Sequence, residues 1–185
     1  VATSSNLFSF FFFWEIMSSW TLYFVIIHEE TRESLWEGFK YFLFNMIGAG
    51  FLFLGVILTV HWLGTADFAE MKNSFAQLDA GKVTVLFALL TIGFLMKAAQ
   101  LPFRIDVQMH PATAPTPVSG YISSVLLKSA LFGLAKLFLV FGGISLFADH
   151  INLAYLSEIS LYIGAVTIVM AASFAVLQSD IKLVL

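Results

Sequence analysis

The chain has 185 residues, of which 59% are hydrophobic and only 11% charged, too little charge to cover the surface of a water-soluble domain of this size. Its net charge of −3, without a basic cluster, argues against a nucleic-acid partner. The absence of cysteine excludes disulfides, thiolate chemistry and iron–sulfur ligation within these residues.

Mean hydropathy is +0.91, and the apolar residues fall in runs close to the roughly 20 residues that a spanning helix needs. The opening residues carry no basic leader and no small-residue cleavage site, so no signal peptide is expected there. In chain order the first span is expected at about Leu7–Ile27, followed by a polar loop over His28–Glu37. A second span covers about Gly38–Leu63. The loop Gly64–Lys82 holds room for a short amphipathic turn around Asp67–Phe75. A third span covers about Val83–Gln100, and a proline-punctuated stretch follows over Leu101–Pro117. The fourth span runs to about Phe147 from Val118, with Gly142 and Gly143 near its end. A fifth covers about Leu156–Leu177, and Asp180 begins a sixth, as expected of an internal piece of a longer protein.

These runs are continuous, not alternating, and about twice the length of a membrane strand. In hydrocarbon the backbone must satisfy itself, so the expected fold is an all-α polytopic transmembrane helix bundle. Arg32, Lys40 and Arg104 fall towards one side and Lys72 and Lys82 towards the other, so loop charge assigns no orientation. Trp20, Trp36 and Trp62 are expected in interfacial belts. Asn45 and the small group Gly48-Ala-Gly50 are expected to serve close helix packing.

The informative residues are the charges inside apolar runs. Glu15 sits near the middle of the first span, where an ionised carboxylate costs several kcal/mol unless paired or hydrated. Ser18 and Ser19 follow at three and four residues, on the same helix face. The plain alternative is a structural, hydrogen-bonded carboxyl. Lys97 closes the third span just before Pro102, which cannot donate to the carbonyl of Ala98. A lysine beside a helix break at membrane depth reads as part of a hydrated site, against the plain reading of a snorkelling side chain. Lys128 lies about ten residues into the fourth span, sharing a face with Tyr121 and Ser124. Desolvation disfavours an ammonium there and a neighbouring carboxylate favours it, which lets such a lysine gain and lose a proton. Lys136 lies two turns further on and either continues this line or snorkels. Lys40 opens the second span, where an interfacial anchor competes with a functional role. The four His make no metal box by spacing, and no nucleophile–base set or phosphate loop is present.

The string Lys97-Ala-Ala-Gln-Leu-Pro-Phe103, then Ala114-Pro-Thr-Pro-Val-Ser119, then Lys128, resembles the core signature of the antiporter-like subunits. These occur in respiratory NADH dehydrogenase (complex I), in multisubunit sodium/proton antiporters and in energy-converting membrane hydrogenases. Phe13-Trp14-Glu15 resembles the Trp-Glu of the family's fifth helix, and Gly38-Phe-Lys-Tyr-Phe42 the lysine-bearing start of its sixth. Leu177-Gln-Ser-Asp-Ile-Lys182 resembles the stretch near the unit's end.

The resemblance implies two inverted repeats of five helices, each with a broken helix. This chain would cover most of the first repeat and enter the second, with Pro102, Pro115 and Pro117 marking the break. It implies that Glu15 pairs with Lys97, the proton-holding group, and that Lys128 relays charge onward. Ser123, followed by Ser124, stands where family members often carry His; a hydroxyl holds water but does not titrate. Ile105-Asp-Val-Gln-Met109 replaces the usual Trp-Leu-Pro-Asp, and His110-Pro111 resembles hydrogenase-associated members. The implied function is proton translocation as one subunit of a redox-driven membrane complex. Iron–sulfur or other redox cofactors would lie in partner subunits. The implied location is a bacterial or archaeal cytoplasmic membrane, or an organelle inner membrane. A sodium/proton antiporter subunit and a structural membrane scaffold without ion flux are the competing readings.

Overall fold

Backbone groups in hydrocarbon must bond within their own segment, and this chain meets that demand with helices. The computed structural model describes residues 3–75, 77–103, 114–140 and 151–177. Among them five helices are long and apolar enough to cross a membrane, and there is no strand. The fold is an all-α polytopic bundle. Helix α1 spans Leu7–Glu29, with a π turn at Ile16–Trp20 and a closing 3-10 turn at Ile27–Glu29. Helix α2 is Arg32–Leu63, short α3 is Phe68–Phe75, and α4 is Ala80–Lys97. Helix α5 starts with Thr116–Tyr121, passes through a second π turn at Ile122–Leu126 and continues over Leu127–Val140. Helix α6 is Ile151–Leu177. Arg104, Ile105–Met109, His110, Pro111, Gly142, Gly143, the far end of the fourth span and the expected helix start at Asp180 lie outside the described residues.

Side-chain caps set the helix starts. The Asn6 carboxamide oxygen accepts from the N–H groups of Phe8 and Ser9 at 2.8 and 3.3 Å. Thr31 accepts from Ser34 N–H at 3.1 Å, and Asp79 from Gly81 N–H at 3.0 Å. Each relieves donors that a first turn leaves open. The Thr31 cap starts α2 six residues ahead of Gly38, inside the segment whose charge suggests a loop. Glu33 sits in that first turn, where the helix dipole favours an acid. Lys40 therefore lies in the third turn of α2, not at its start.

Helix α4 ends at Lys97, short of Gln100. Gln100 N–H donates to Leu95 O at 3.0 Å and Ala99 N–H to Met96 O at 3.2 Å. Ala99 takes the left-handed conformation at φ 54°. This is a Schellman closure with alanine in the place usually taken by glycine. The helix thus stops before Pro102, which is exposed beyond its end. Pro115 precedes α5 and Pro117 falls in its first turn, where a missing N–H breaks no helical bond.

The bundle is densest where α2 crosses α4. A Cβ on Gly93 would lie 3.0 Å from the Gly48 carbonyl oxygen and would run into Leu52, so glycine there lets the two backbones approach. Leu52 and Val56 of α2 pack with Leu86, Phe87, Leu90 and Phe94 of α4 in one buried cluster, which Phe10 and Trp14 of α1 join. A second cluster gathers Leu22, Ile26, Tyr41, Ala114, Ile122 and Leu126. The most apolar stretch of α6 buries none of its residues within this chain. Its Thr167 hydroxyl accepts from Leu101 N–H at 3.1 Å, just past the end of α4.

Gly93→Ala should destabilise the full-length protein by about 1–3 kcal/mol through overpacking. Gly50→Ala, whose Cβ would meet nothing within 4 Å, should not. Thermal unfolding midpoints of the two variants in detergent check the contrast.

Candidate functional site

Opposite charges can enter an apolar bundle only together. Glu15 is 7% exposed and Lys97 5%, and the two form an ion pair between Glu15 Oε1 and Lys97 Nζ. An ammonium has three N–H donors, and all three find acceptors. Besides Glu15, Lys97 donates to the hydroxyls of Ser18 at 3.4 Å and Ser19 at 3.3 Å. Ser19, fully buried, donates in turn to Glu15 Oε2 at 2.6 Å. One hydroxyl therefore bridges acid and base. The Trp14 ring, stacked on Phe94 with centroids 5.2 Å apart, places its centroid 5.3 Å from Lys97 Nζ. That adds a cation–π contact on a further side of the ammonium.

Local structure explains why two adjacent serines serve one lysine. Glu15 ends the regular first stretch of α1, and the π turn Ile16–Trp20 follows directly. Its wider winding narrows the angular step between neighbouring side chains, so Ser18 and Ser19 face α4 together. Thr21 N–H closes the turn on Ile16 O, and the Thr21 hydroxyl adds a bond to the same carbonyl at 2.7 Å. From α2, the O–H of fully buried Tyr41 donates to the Ser18 carbonyl at 2.8 Å. Asn45 Nδ2 donates to the Tyr41 carbonyl at 2.9 Å. Sequence reasoning passed over Tyr41 for its neighbour Lys40, which is half-buried and, as the adjacent residue, does not share its helix face. The available signal was the pairing of Tyr41 with Asn45 one turn later.

Lys128 stands apart from this cluster. It is exposed in this chain, and its Nζ donates to the Ser123 carbonyl at 2.8 Å within the second π turn. Ser124 donates to Gly120 O at 2.6 Å, Tyr121 is 37% exposed, and Ser123 is half-buried. The π turn adds a residue to the winding between Tyr121 and Lys128, so the face reckoned from ideal α spacing is displaced. Among the described residues, no hydrogen bond or ion pair joins Lys128 to Lys97 or Glu15. Lys136 is half-buried and donates to Ser4 O at 2.8 Å. The rings of Phe68, Phe132 and Phe10 surround it at 5.0, 5.3 and 6.0 Å. It ties α5 to the start of α1.

Three further polar atoms are buried without a hydrogen-bond partner among the described residues: Trp14 Nε1, Thr91 Oγ1 and Ser119 Oγ. Buried groups of this kind call for ordered water. Among the described residues no three acidic or His side chains gather as metal ligands.

Comparison with known proteins bears on this geometry. Residues 4–185 match the family described as NADH:quinone oxidoreductase/Mrp antiporter, transmembrane. The chain is 31% identical over 191 residues to the chloroplast NAD(P)H-quinone oxidoreductase subunit 5 of Piper cenocladum, covering 98% of this chain and 24% of that protein. It is 28% identical over 180 residues to hydrogenase-4 component B of Escherichia coli (strain K12), covering 96% of this chain and 25% of that protein. The chain therefore spans about a quarter of the length of these curated relatives. A chain in the structure of the membrane-bound sulfane sulfur reductase (MBS), an archaeal respiratory membrane complex, shares the fold with a TM-score of 0.83. Identity there is 23%, over 98% of this chain and 36% of that one.

Removing one partner of the buried pair strands the other. Lys97→Met should destabilise the full-length protein by about 3–5 kcal/mol, while Lys97→Met combined with Glu15→Gln should recover most of that loss. Unfolding midpoints of the single and double variants in detergent at neutral pH test the pairing.

Proposed function

The chain belongs to the NADH:quinone oxidoreductase/Mrp antiporter family of transmembrane proteins, and from that premise we propose that it carries part of a proton path. The path would run through the antiporter-like subunit of a redox-driven membrane complex, a complex I-type dehydrogenase or an energy-converting hydrogenase. The observation that carries this reading is the buried Glu15–Lys97 pair, with every ammonium N–H engaged and a helix end beside it.

The chemistry follows from electrostatics. While Glu15 and the two serines face Lys97, the ammonium is held. Parting the pair leaves a buried cation without its counter-charge, and the amine sheds the proton. A pKa unit corresponds to about 1.4 kcal/mol, so each such weakening of the ion pair shifts the proton equilibrium tenfold. Ser19 donates to Glu15, which places a hydroxyl between acid and base. Lys128, with Ser123 and Ser124, is the next station on this reading, reached through water rather than by direct contact. The orphaned hydroxyls of Thr91 and Ser119 support such water.

The residues here hold and pass protons and perform no covalent step. Electron transfer and its iron–sulfur or other cofactors belong, on this proposal, to partner subunits. The likeness to subunits of a quinone oxidoreductase and of a hydrogenase supports that assignment.

The test uses the full-length subunit in its complete complex, reconstituted in sodium-free vesicles, with proton uptake and redox turnover measured together. Lys97→Ala should abolish pumping. Lys128→Ala should lower it at least about a hundredfold, the lower end of what a positioned proton-transfer group contributes. Pumping that survives both substitutions sinks the relay and leaves a scaffold; pumping restored only by sodium identifies an exchanger.

A further inference from the structure

We infer that Tyr41 is a positioning residue for the Glu15–Lys97 pair: its hydrogen bond to the Ser18 carbonyl fixes the π turn from which both lysine-binding hydroxyls project. The inference rests on the proton-path reading.

The phenol is fully buried and donates to Ser18 O at 2.8 Å. Ser18 offers its hydroxyl to Lys97 at 3.4 Å, and the next residue, Ser19, does so at 3.3 Å while bonding Glu15 at 2.6 Å. One backbone position therefore governs two of the three acceptors of the ammonium and one partner of the carboxylate. The backbone carbonyl that receives this O–H cannot hand a proton on, so Tyr41 acts through geometry. The Asn45 amide holds the Tyr41 carbonyl at 2.9 Å and steadies the backbone behind it.

The ring has a second neighbourhood. It belongs to the same buried cluster as Ile122 and Leu126, the first and last residues of the π turn in α5, and as Leu22 and Ile26 beyond the π turn in α1. The Ser123 carbonyl of that second π turn receives Lys128. Tyr41 thus lies in the packing between the two widened turns, and a shift of α5 bears on its ring while its hydroxyl holds Ser18. A residue that only filled space would need the ring and not the O–H.

Tyr41→Phe separates the two. In the complete complex in vesicles, it should assemble and keep its redox turnover. Pumping per turnover should fall about tenfold, the size expected of one lost buried hydrogen bond. The infrared carboxylate band assigned to Glu15 by its loss in Glu15→Gln should also move. Wild-type pumping or an unmoved band in Tyr41→Phe overturns the inference. If Tyr41→Phe fails to assemble, 3-fluorotyrosine at position 41 keeps the ring and strengthens the donor. A displaced pH profile of pumping at constant turnover then upholds the inference, and a wild-type profile overturns it. Normal pumping in Glu15→Gln would overturn the proton-path reading itself, and this inference with it. Normal Tyr41→Phe beside impaired Glu15→Gln overturns the inference alone.

Discussion

A lysine and a glutamate neutralise one another inside hydrocarbon, and the surrounding structure is arranged around that necessity. Lys97 is the last residue of α4, so its charge lies at the end where a helix concentrates negative potential. The Trp14 face, two hydroxyls and a carboxylate complete its surroundings. Apolar residues of similar volume often hold a bundle as well as, or better than, a buried ion pair. The pair is therefore better understood through what two titratable groups in a dry site can do than through what they hold together.

The two π turns share a construction. Each occurs within a spanning helix, and each presents a serine carbonyl to a side chain: Ser18 to Tyr41 from another helix, Ser123 to Lys128 from its own. Widened turns present such acceptors without ending the helix, so polar chemistry enters a membrane span while the rest of its backbone stays bonded. The closure of α4 solves the same problem by stopping. Ala99 turns left-handed, the carbonyls of Met96 and Leu95 are met by Ala99 and Gln100, and the next N–H, that of Leu101, is met by Thr167 from α6.

Much of the site was legible because a charge in an apolar run is conspicuous. Glu15 and Lys97 stood out on that ground, and Ser18 and Ser19 followed from helical spacing. Tyr41 did not stand out, because a tyrosine among phenylalanines reads as bulk until its hydroxyl is seen to have a partner. The π turns left no compositional trace beyond the adjacent serines at 18–19 and 123–124, and without them the face bearing Lys128 could not be reckoned. The start of α2 was hidden for the opposite reason. The charges of Arg32–Glu37 suggest a loop, yet Thr31 caps a helix through them. Pro102 drew attention to this stretch, but α4 already ends five residues earlier, and Ala99 then takes a conformation that sequence habits reserve for glycine.

The separation of the ion pair along the chain has a consequence for biogenesis. Glu15 lies on α1 and Lys97 on α4, so the acid is synthesised before the lysine, with α2 and α3 between them. Until the lysine emerges from the ribosome, the carboxyl has the hydroxyl of Ser19 from its own helix to bond and no Lys97 to oppose it. A lone carboxylate is costly in lipid until a partner meets it. Insertion of these two helices becomes one coupled event: the acid is delivered early, and the bilayer accepts its charge only when the cation arrives.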